Sequence, residues 1–278
     1  MVAMSLSDGF RFDGRRVLVV GGATGMGAAA AELALELGAD AVVMDRAEVA
    51  LAGVTAIGVD LVSQASIDTA VDECTGPVDA LLACAGVADG TPGIERINFV
   101  GHRYLIDRML DAGMLLEGSA IGFIASTAGL GWERNLEELS GVLAISDFDE
   151  AAAWFVEHRK ADYLHTKQAV CAYVATQAYP LLRRVIRVNA ICPGPTVTPL
   201  AEANRELWLE FGADYRADAG VEASTPMEQA YPLLFLCSDA AVYITGVTLI
   251  ADAGYMSAGL TGAYPAATDA AKFLMGRW

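Results

Sequence analysis

Residues 16–27 read RVLVVGGATGMG. After Arg16, three valines and a leucine (Val17–Val20) make a short, wholly apolar run, the mark of a strand covered on both faces. The glycines that follow stand as GxxxGxG, at Gly21, Gly25 and Gly27, with Gly22 beside the first. The Ala-rich stretch Met26–Leu37 then reads as a helix. A strand, a glycine turn and a helix in that order begin a βαβ unit. Working outward, Arg16–Gly21, Ala41–Asp45, Ala56–Leu61, Ala80–Ala85, Ala120–Ala125, Ile186–Ile191 and Val247–Ala251 form a series of short apolar runs separated by helical patterns. That alternation predicts an α/β fold, a Rossmann-like doubly wound parallel sheet of about seven strands. One domain, residues 1–278, accounts for the whole series.

Composition narrows the class. Of the 278 residues, 54% are hydrophobic and 19% charged, which excludes a disordered chain. Mean hydropathy is +0.40. No window of about 18 residues is both free of charge and rich in large apolar side chains, so no membrane span is expected. The formal net charge of -17 repels phosphate backbones and anionic lipid, so nucleic acid and membrane surfaces are excluded as expected partners. Five cysteines without a CxxC pair argue against a disulfide framework or a zinc site, and His102, His158 and His165 show no HExxH pairing. Residues 1–16 lack the apolar core of a signal peptide, and the expected location is the cytoplasm.

Two pieces interrupt the alternation. About 30 residues between Gly131 and Ala161 read as two short helices, Asn135–Ile145 and Asp147–His158, with Asp147 and Asp149 as candidate caps. Trp132, Trp154 and Phe155 give this insertion an apolar surface. A tail, Tyr255–Trp278, follows the last strand. Each piece is either extra packing or a wall over a pocket, and the sequence leaves both readings open.

The glycine turn carries the first functional signal. Glycines allow positive φ and let a pyrophosphate approach the backbone, while the helix behind them offers free N–H groups and the positive end of its dipole. Asp45 ends the second strand, 18 residues after Gly27. An acid there accepts hydrogen bonds from the adenosine ribose and repels a 2′-phosphate, which favours NAD over NADP. Arg46, next in the chain, offers a phosphate partner in the other direction. The second signal is YxxxK, Tyr163 to Lys167, on a helical segment. Residues four apart share a helix face, and an ammonium beside a phenol stabilises phenolate. A Tyr tuned in that way exchanges a proton with an alcohol or ketone.

With these residues in view, the chain resembles the short-chain dehydrogenase/reductase family, over roughly Arg16 to Gly254. Gly21, Gly25 and Gly27 match its cofactor glycines, with Thr24 and Met26 between them, although Val20 stands where Thr is usual. Asp60-Leu61 matches the pair that contacts adenine. Ala83-Cys84-Ala85-Gly86 corresponds to NNAG with both Asn replaced, and leaves Ala85 and Gly86 as cofactor contacts. Asn98, Ser126, Tyr163 and Lys167 match the catalytic tetrad. Pro193-Gly194 and Thr198 match the segment that holds the carboxamide, and Asp252-Ala253-Gly254 resembles DGG with one Gly lost. The resemblance implies that Tyr163 is the general acid/base. It implies that Lys167 holds the nicotinamide ribose and lowers the Tyr163 pKa, that Ser126 binds the substrate oxygen, and that Asn98 holds a water in a proton relay.

Ser126 and Tyr163 stand 37 positions apart, further than is usual for the family. With an Asp-tipped second strand, it resembles the bacterial 3α-hydroxysteroid dehydrogenase/carbonyl reductase and coniferyl-alcohol dehydrogenase subgroup. The implied activity is an NAD-dependent dehydrogenase of a bulky apolar alcohol or ketone, a hydroxysteroid type first, with aromatic or terpenoid alcohols as the alternative. The segment 193–225, with Pro193, Leu200, Leu207, Trp208, Leu209, Phe211 and Tyr215, reads either as a mobile substrate loop or as ordinary helix packing. A methyltransferase shares only the glycine turn. A non-catalytic NAD sensor has no need of Asn98, Ser126, Tyr163 and Lys167 together. The family also implies a homodimer or homotetramer.

Overall fold

The computed structural model describes residues 7–277. The N-terminal expectation falls partly on residues 1–6, and the tail ends at Trp278, both outside the described residues. In chain order the elements begin β1 (Arg16–Val20), α1 (Gly25–Glu36), β2 (Asp40–Asp45), β3 (Thr55–Gly58), α2 (Gln64–Glu73), β4 (Ala80–Ala83) and α3 (Gly101–Asp111). Then come β5 (Ala120–Ile124), α4 (Leu136–Leu143), α5 (Phe148–Glu157), α6 (Tyr163–Leu182) and β6 (Arg187–Pro193). The chain closes with α7 (Pro199–Ala203), α8 (Arg205–Trp208), α9 (Ala213–Ala219), α10 (Pro226–Cys237), β7 (Thr248–Ala251), α11 (Tyr255–Thr261) and α12 (Thr268–Leu274).

The seven strands form one sheet in the order β3-β2-β1-β4-β5-β6-β7, and every pairing is parallel. Apolar side chains fill both faces. Leu18, Val20, Leu81, Phe123 and Val188 join one core with α2, α3 and α6, while Val17, Val19, Leu82 and Ile191 join the other with α1 and α10. Each predicted strand is present. Most end one to three residues early, because the chain turns into the site before its apolar run is finished, whereas β6 runs two residues further, to Pro193. The strand order reverses between β1 and β4, and a crevice at that switch point is where such sheets bind ligands.

The insertion packs; it does not cover the pocket. Its helices lie against α3 and the turn before it, through edge-on contacts of Phe155 with Phe99 and of Phe148 with Tyr104, and α4 also packs on α6. Arg103 donates to the Val142 carbonyl, and Asn135 donates to Gln168. Asp147 caps α5, its Oδ1 accepting from the amides of Asp149 and Glu150 at 3.0 and 2.9 Å. Asp149 is not a cap and instead pairs with Arg96 at 2.7 Å. Trp154 and Phe155 are buried as expected. Trp132, partly buried, packs against the same core.

The five cysteines are free thiols. Among the described residues no helix is long and apolar enough to cross a membrane, and no cluster of His, Cys, Asp and Glu is placed to hold a metal.

The Asp147 cap gives a stability test. Asp147→Ala leaves two amides of α5 without their acceptor and should lower the free energy of unfolding by about 1 kcal/mol. Denaturant melts of the two proteins measure this directly.

Candidate active site

The turn after β1 is built on contacts that leave no room for a side chain. A Cβ on Gly27 would run into the Gly21 carbonyl oxygen, and one on Gly21 into the backbone of Ala85. Gly21 and Gly25 both have positive φ, +88° and +61°. The N-terminus of α1 is thereby drawn down onto the end of β1, and its free N–H groups face the crevice. Asp45 ties the end of β2 to this turn: Oδ2 accepts from the Ala23 amide at 2.9 Å and Oδ1 from the Ala47 amide at 2.8 Å.

A cleft of about 490 Å³ runs along these elements. It brings together Gly21, Thr24, Gly25, Met26, Gly27, Asp45, Asp60, Leu61, Ala85, Gly86 and Thr198, each of them expected at the cofactor from sequence. Arg46 and Ile97 also line it. Asp60 is oriented by its own turn, Oδ1 accepting from the Val62 amide at 3.2 Å. The Ala83-Cys84 pair supplies no side-chain amide, and other residues hold this backbone. His102, pushed down to about 4 by burial, is neutral and donates from Nε2 to the Ala85 carbonyl at 3.0 Å. Asn98 accepts from the Val87 amide at 2.8 Å and donates to the Val87 carbonyl at 3.1 Å and to Thr166 at 3.2 Å. It sits on a π-helical turn, Arg96–Val100, that leads into α3; such turns recur at functional sites. Asn98 lines neither this cleft nor the next one, and lies behind Gly86 and Val87 with its amide committed to protein partners.

A second cavity, about 330 Å³, opens beside the first and shares Met26, Cys84, Thr198 and Leu200 with it. Ser126, Tyr163, Lys167, Pro193 and Gly194 line it. Ser126 lies just past the end of β5. Tyr163 and Lys167 occupy the first turns of α6, whose start is held by two carboxylates. Asp162 Oδ1 accepts from the His165 amide at 2.8 Å, and Asp89 Oδ1 accepts from the Tyr163 amide at 2.6 Å. Negative charge at a helix N-terminus is favourable. Lys167 is 3% exposed, donates to the Ile124 carbonyl at 2.9 Å, and stands 5.6 Å from the Tyr163 ring centre.

Burial dominates the titration of this pair. It pushes Tyr163 up to about 12, against a hydrogen bond to Ser126 that lowers it, and it brings Lys167 down to about 8. The lowering of the Tyr163 pKa by Lys167, expected from the spacing, is therefore not seen. Desolvation of the phenol governs instead, and the ammonium donates to the Ile124 carbonyl.

Of the segment 193–225, Pro193, Leu200, Leu207, Trp208 and Phe211 line the cavity. Trp208 lies over Tyr163, ring centres 4.8 Å apart. Leu209 is buried, and Tyr215 packs on Tyr255 and Tyr264, so these two belong to packing. Sequence reasoning missed Asp89, Thr166, His102 and Leu274, which lines the cavity from the tail. Thr166 sat inside the quoted YxxxK. The other three carry no local signal, because only the fold brings them near.

A family model described as enoyl-(acyl carrier protein) reductase matches residues 21–256. The chain belongs to the short-chain dehydrogenase/reductase family. It is 26% identical over 253 residues to the coniferyl-alcohol dehydrogenase of a Pseudomonas species, across 87% of this chain and 97% of that one. It is 30% identical over 253 residues to the 3-alpha-hydroxysteroid dehydrogenase/carbonyl reductase of Comamonas testosteroni, across 86% and 95%. The crystal structure of the 3-alpha-hydroxysteroid dehydrogenase from Pseudomonas sp. B-0831, complexed with NADH, superposes with a TM-score of 0.70 at 26% identity, across 90% of this chain and 99% of that one. The family is one of oxidoreductases that use a nicotinamide cofactor, and the glycine cradle, which a single Cβ would fill, fits such a dinucleotide.

The Lys167 shift has a pH consequence. In the folded protein its pKa is brought down to about 8, below the ordinary lysine value of 10.5. The unfolded chain then holds more protons between those values, so stability from this group rises with pH across that window and is lost as pH falls to 8. Tyr163 titrates only above 10 and leaves most of the window undisturbed. Wild type should gain stability relative to Lys167→Met between pH 8 and 10, read by urea unfolding at several pH values. A pH-independent difference would contradict the burial of this ammonium.

Proposed function

We propose that this protein is an NAD-dependent dehydrogenase that interconverts a secondary alcohol on a bulky, largely apolar skeleton with its ketone, a hydroxysteroid-type alcohol first. One observation carries the reading: the cavity holding Ser126, Tyr163 and Lys167 opens directly into the glycine-cradled cleft through shared walls at Met26, Cys84, Thr198 and Leu200. A substrate carbon and a nicotinamide ring can meet only at such a junction.

When bound, the nicotinamide accepts hydride from the alcohol carbon, or returns it to the ketone. The protein's residues manage the rest. Ser126 Oγ, held at 3.1 Å from the Ala128 amide, orients the substrate oxygen. Tyr163 Oη takes the alcohol proton, or returns it in the reverse direction. Lys167 Nζ fixes the ribose and offers positive charge to the developing phenolate. Asn98, through Val87 and Thr166, holds the loop against the foot of α6. Trp208 over Tyr163 keeps water from the reacting atoms and offers a flat apolar face to a ring system. That face also suits an aromatic alcohol, which is the second reading. The neighbouring coniferyl-alcohol and 3-alpha-hydroxysteroid enzymes mark the two ends of the range.

Asp45 supports NAD: it lines the cleft with its carboxylate already fixed by two amides, and a 2′-phosphate beside it would meet negative charge. The assembly we propose is a homodimer or homotetramer, tested by light scattering.

The experiment is a spectrophotometric panel of 3α-hydroxysteroids, coniferyl-type alcohols, cyclic terpenoid alcohols and simple secondary alcohols with NAD or NADP. Turnover should appear with NAD and a bulky alcohol. Tyr163→Phe should lose at least about 100-fold in kcat while NAD affinity is kept. Near-normal turnover by that variant would overturn the assignment. Asp45→Ala should narrow the NAD-over-NADP preference, and an unchanged ratio would remove Asp45 from cofactor choice.

A further inference from the structure

The C-terminal helix reaches the catalytic cavity. Leu274, the last residue of α12, lines the same space as Ser126, Tyr163 and Trp208. Its seat is fixed on two sides. Ala267 and Ala271 are fully buried, and a Cβ on Gly259 of α11 would run within 2.6 Å of the Ala267 carbonyl oxygen and of Ala271 Cβ. On the other side α12 packs against residues 127–135, the stretch that follows Ser126. There, a Cβ on Gly131 would sit 3.0 Å from the Leu274 carbonyl oxygen, and one on Gly276 would sit 3.2 Å from Arg134 Cβ. Backbone-to-backbone approach of this kind leaves α12 little freedom to slide. No residue of 131–161 lines the cavity, so of the two additional pieces it is the tail that reaches the substrate.

We propose that Leu274 is a specificity-determining residue, and that the C-terminal helix, seated on the stretch behind Ser126, sets how bulky an alcohol the cavity admits. The proposal rests on the dehydrogenase reading and deepens it. A leucine isobutyl group in a cavity of about 330 Å³ occupies room that a fused-ring skeleton needs and a single ring does not. Apolar walls discriminate by fit, and one or two methylenes change the ratio of two substrates about tenfold or more. Gly131 belongs to the same device from outside the cavity. A side chain there presses on the Leu274 carbonyl and moves the wall without entering the pocket.

The test compares kcat/KM for a 3α-hydroxysteroid with that for cyclohexanol, using NAD, in wild type, Leu274→Ala, Leu274→Phe and Gly131→Ala. Leu274→Ala should raise the steroid-to-cyclohexanol ratio about tenfold and Leu274→Phe should lower it by a similar factor. Gly131→Ala should also change it, by a factor smaller than either Leu274 variant, and all three should bind NAD as wild type does. Ratios within about twofold of wild type in both Leu274 variants overturn the proposal and leave the dehydrogenase reading standing. If neither alcohol is turned over, calorimetric binding of a 3-ketosteroid and of cyclohexanone to the NADH-loaded proteins reads the same wall. A shifted affinity ratio then supports the role of Leu274 while the dehydrogenase reading fails, and absent or unshifted binding overturns both.

Discussion

The close approach of Gly27 to the Gly21 carbonyl is the constraint from which the site follows. With no Cβ between them, α1 settles onto the carboxyl end of β1 at the point where strand order reverses. The same turn presses Gly21 onto Ala85, which fixes the end of β4 against β1. Gly86 is then flanked by Lys167 Nζ and Asn98 Oδ1, at 3.4 and 3.6 Å from where its Cβ would be. One glycine contact thus sets the relative positions of the dinucleotide cleft, the loop after β4 and the foot of α6. A methyl group at Gly27 would lift α1 and disturb all three.

Burial then sets the chemistry. Tyr163 and Lys167 are adjacent on one helix face, yet their proton affinities move in the directions that low dielectric dictates, up for the phenol and down for the ammonium. Trp208, the cavity walls and α6 exclude the water that would stabilise either charge. Both shifts favour the neutral forms, so any charge brought into this space is felt strongly by the pair. In a chain of net charge -17, Lys167 is the one lysine enclosed beside Tyr163, where a phenolate would form in the proposed reaction.

Much of this was legible in the residues. Seven apolar runs separated by helical patterns predicted seven parallel strands, because a strand buried on both faces has no polar side to show. Strand ends were less legible: Cys84 and Ala85 continue the apolar run of β4 but bend into the cleft. The cofactor residues came together as expected, since glycine spacing and a strand-end acid are local patterns. The titration of the Tyr-Lys pair was not legible, since four-residue spacing gives adjacency and says nothing of desolvation. Nor was the choice between Asp147 and Asp149 as cap. Both precede or begin an apolar helix, and Arg96, distant in sequence, claims the second.

Sequence by itself determined the sheet, the glycine turn, the order of Asn98, Ser126, Tyr163 and Lys167 along the chain, and the presence of two additional pieces. Those are consequences of periodicity and of backbone freedom, which act over a few residues. Tertiary structure alone decided what the additional pieces do. The insertion turned its aromatic face to the π-helical turn and to α3, because these offered Phe99 and Tyr104 to pack edge-on. The tail, short and Ala-rich, could approach the stretch after Ser126 closely at Gly131 and so carry Leu274 into the cavity. Gly131 and Leu274, 143 positions apart, meet there because small residues on both segments let backbones touch, a complementarity visible only once the sheet has placed them side by side.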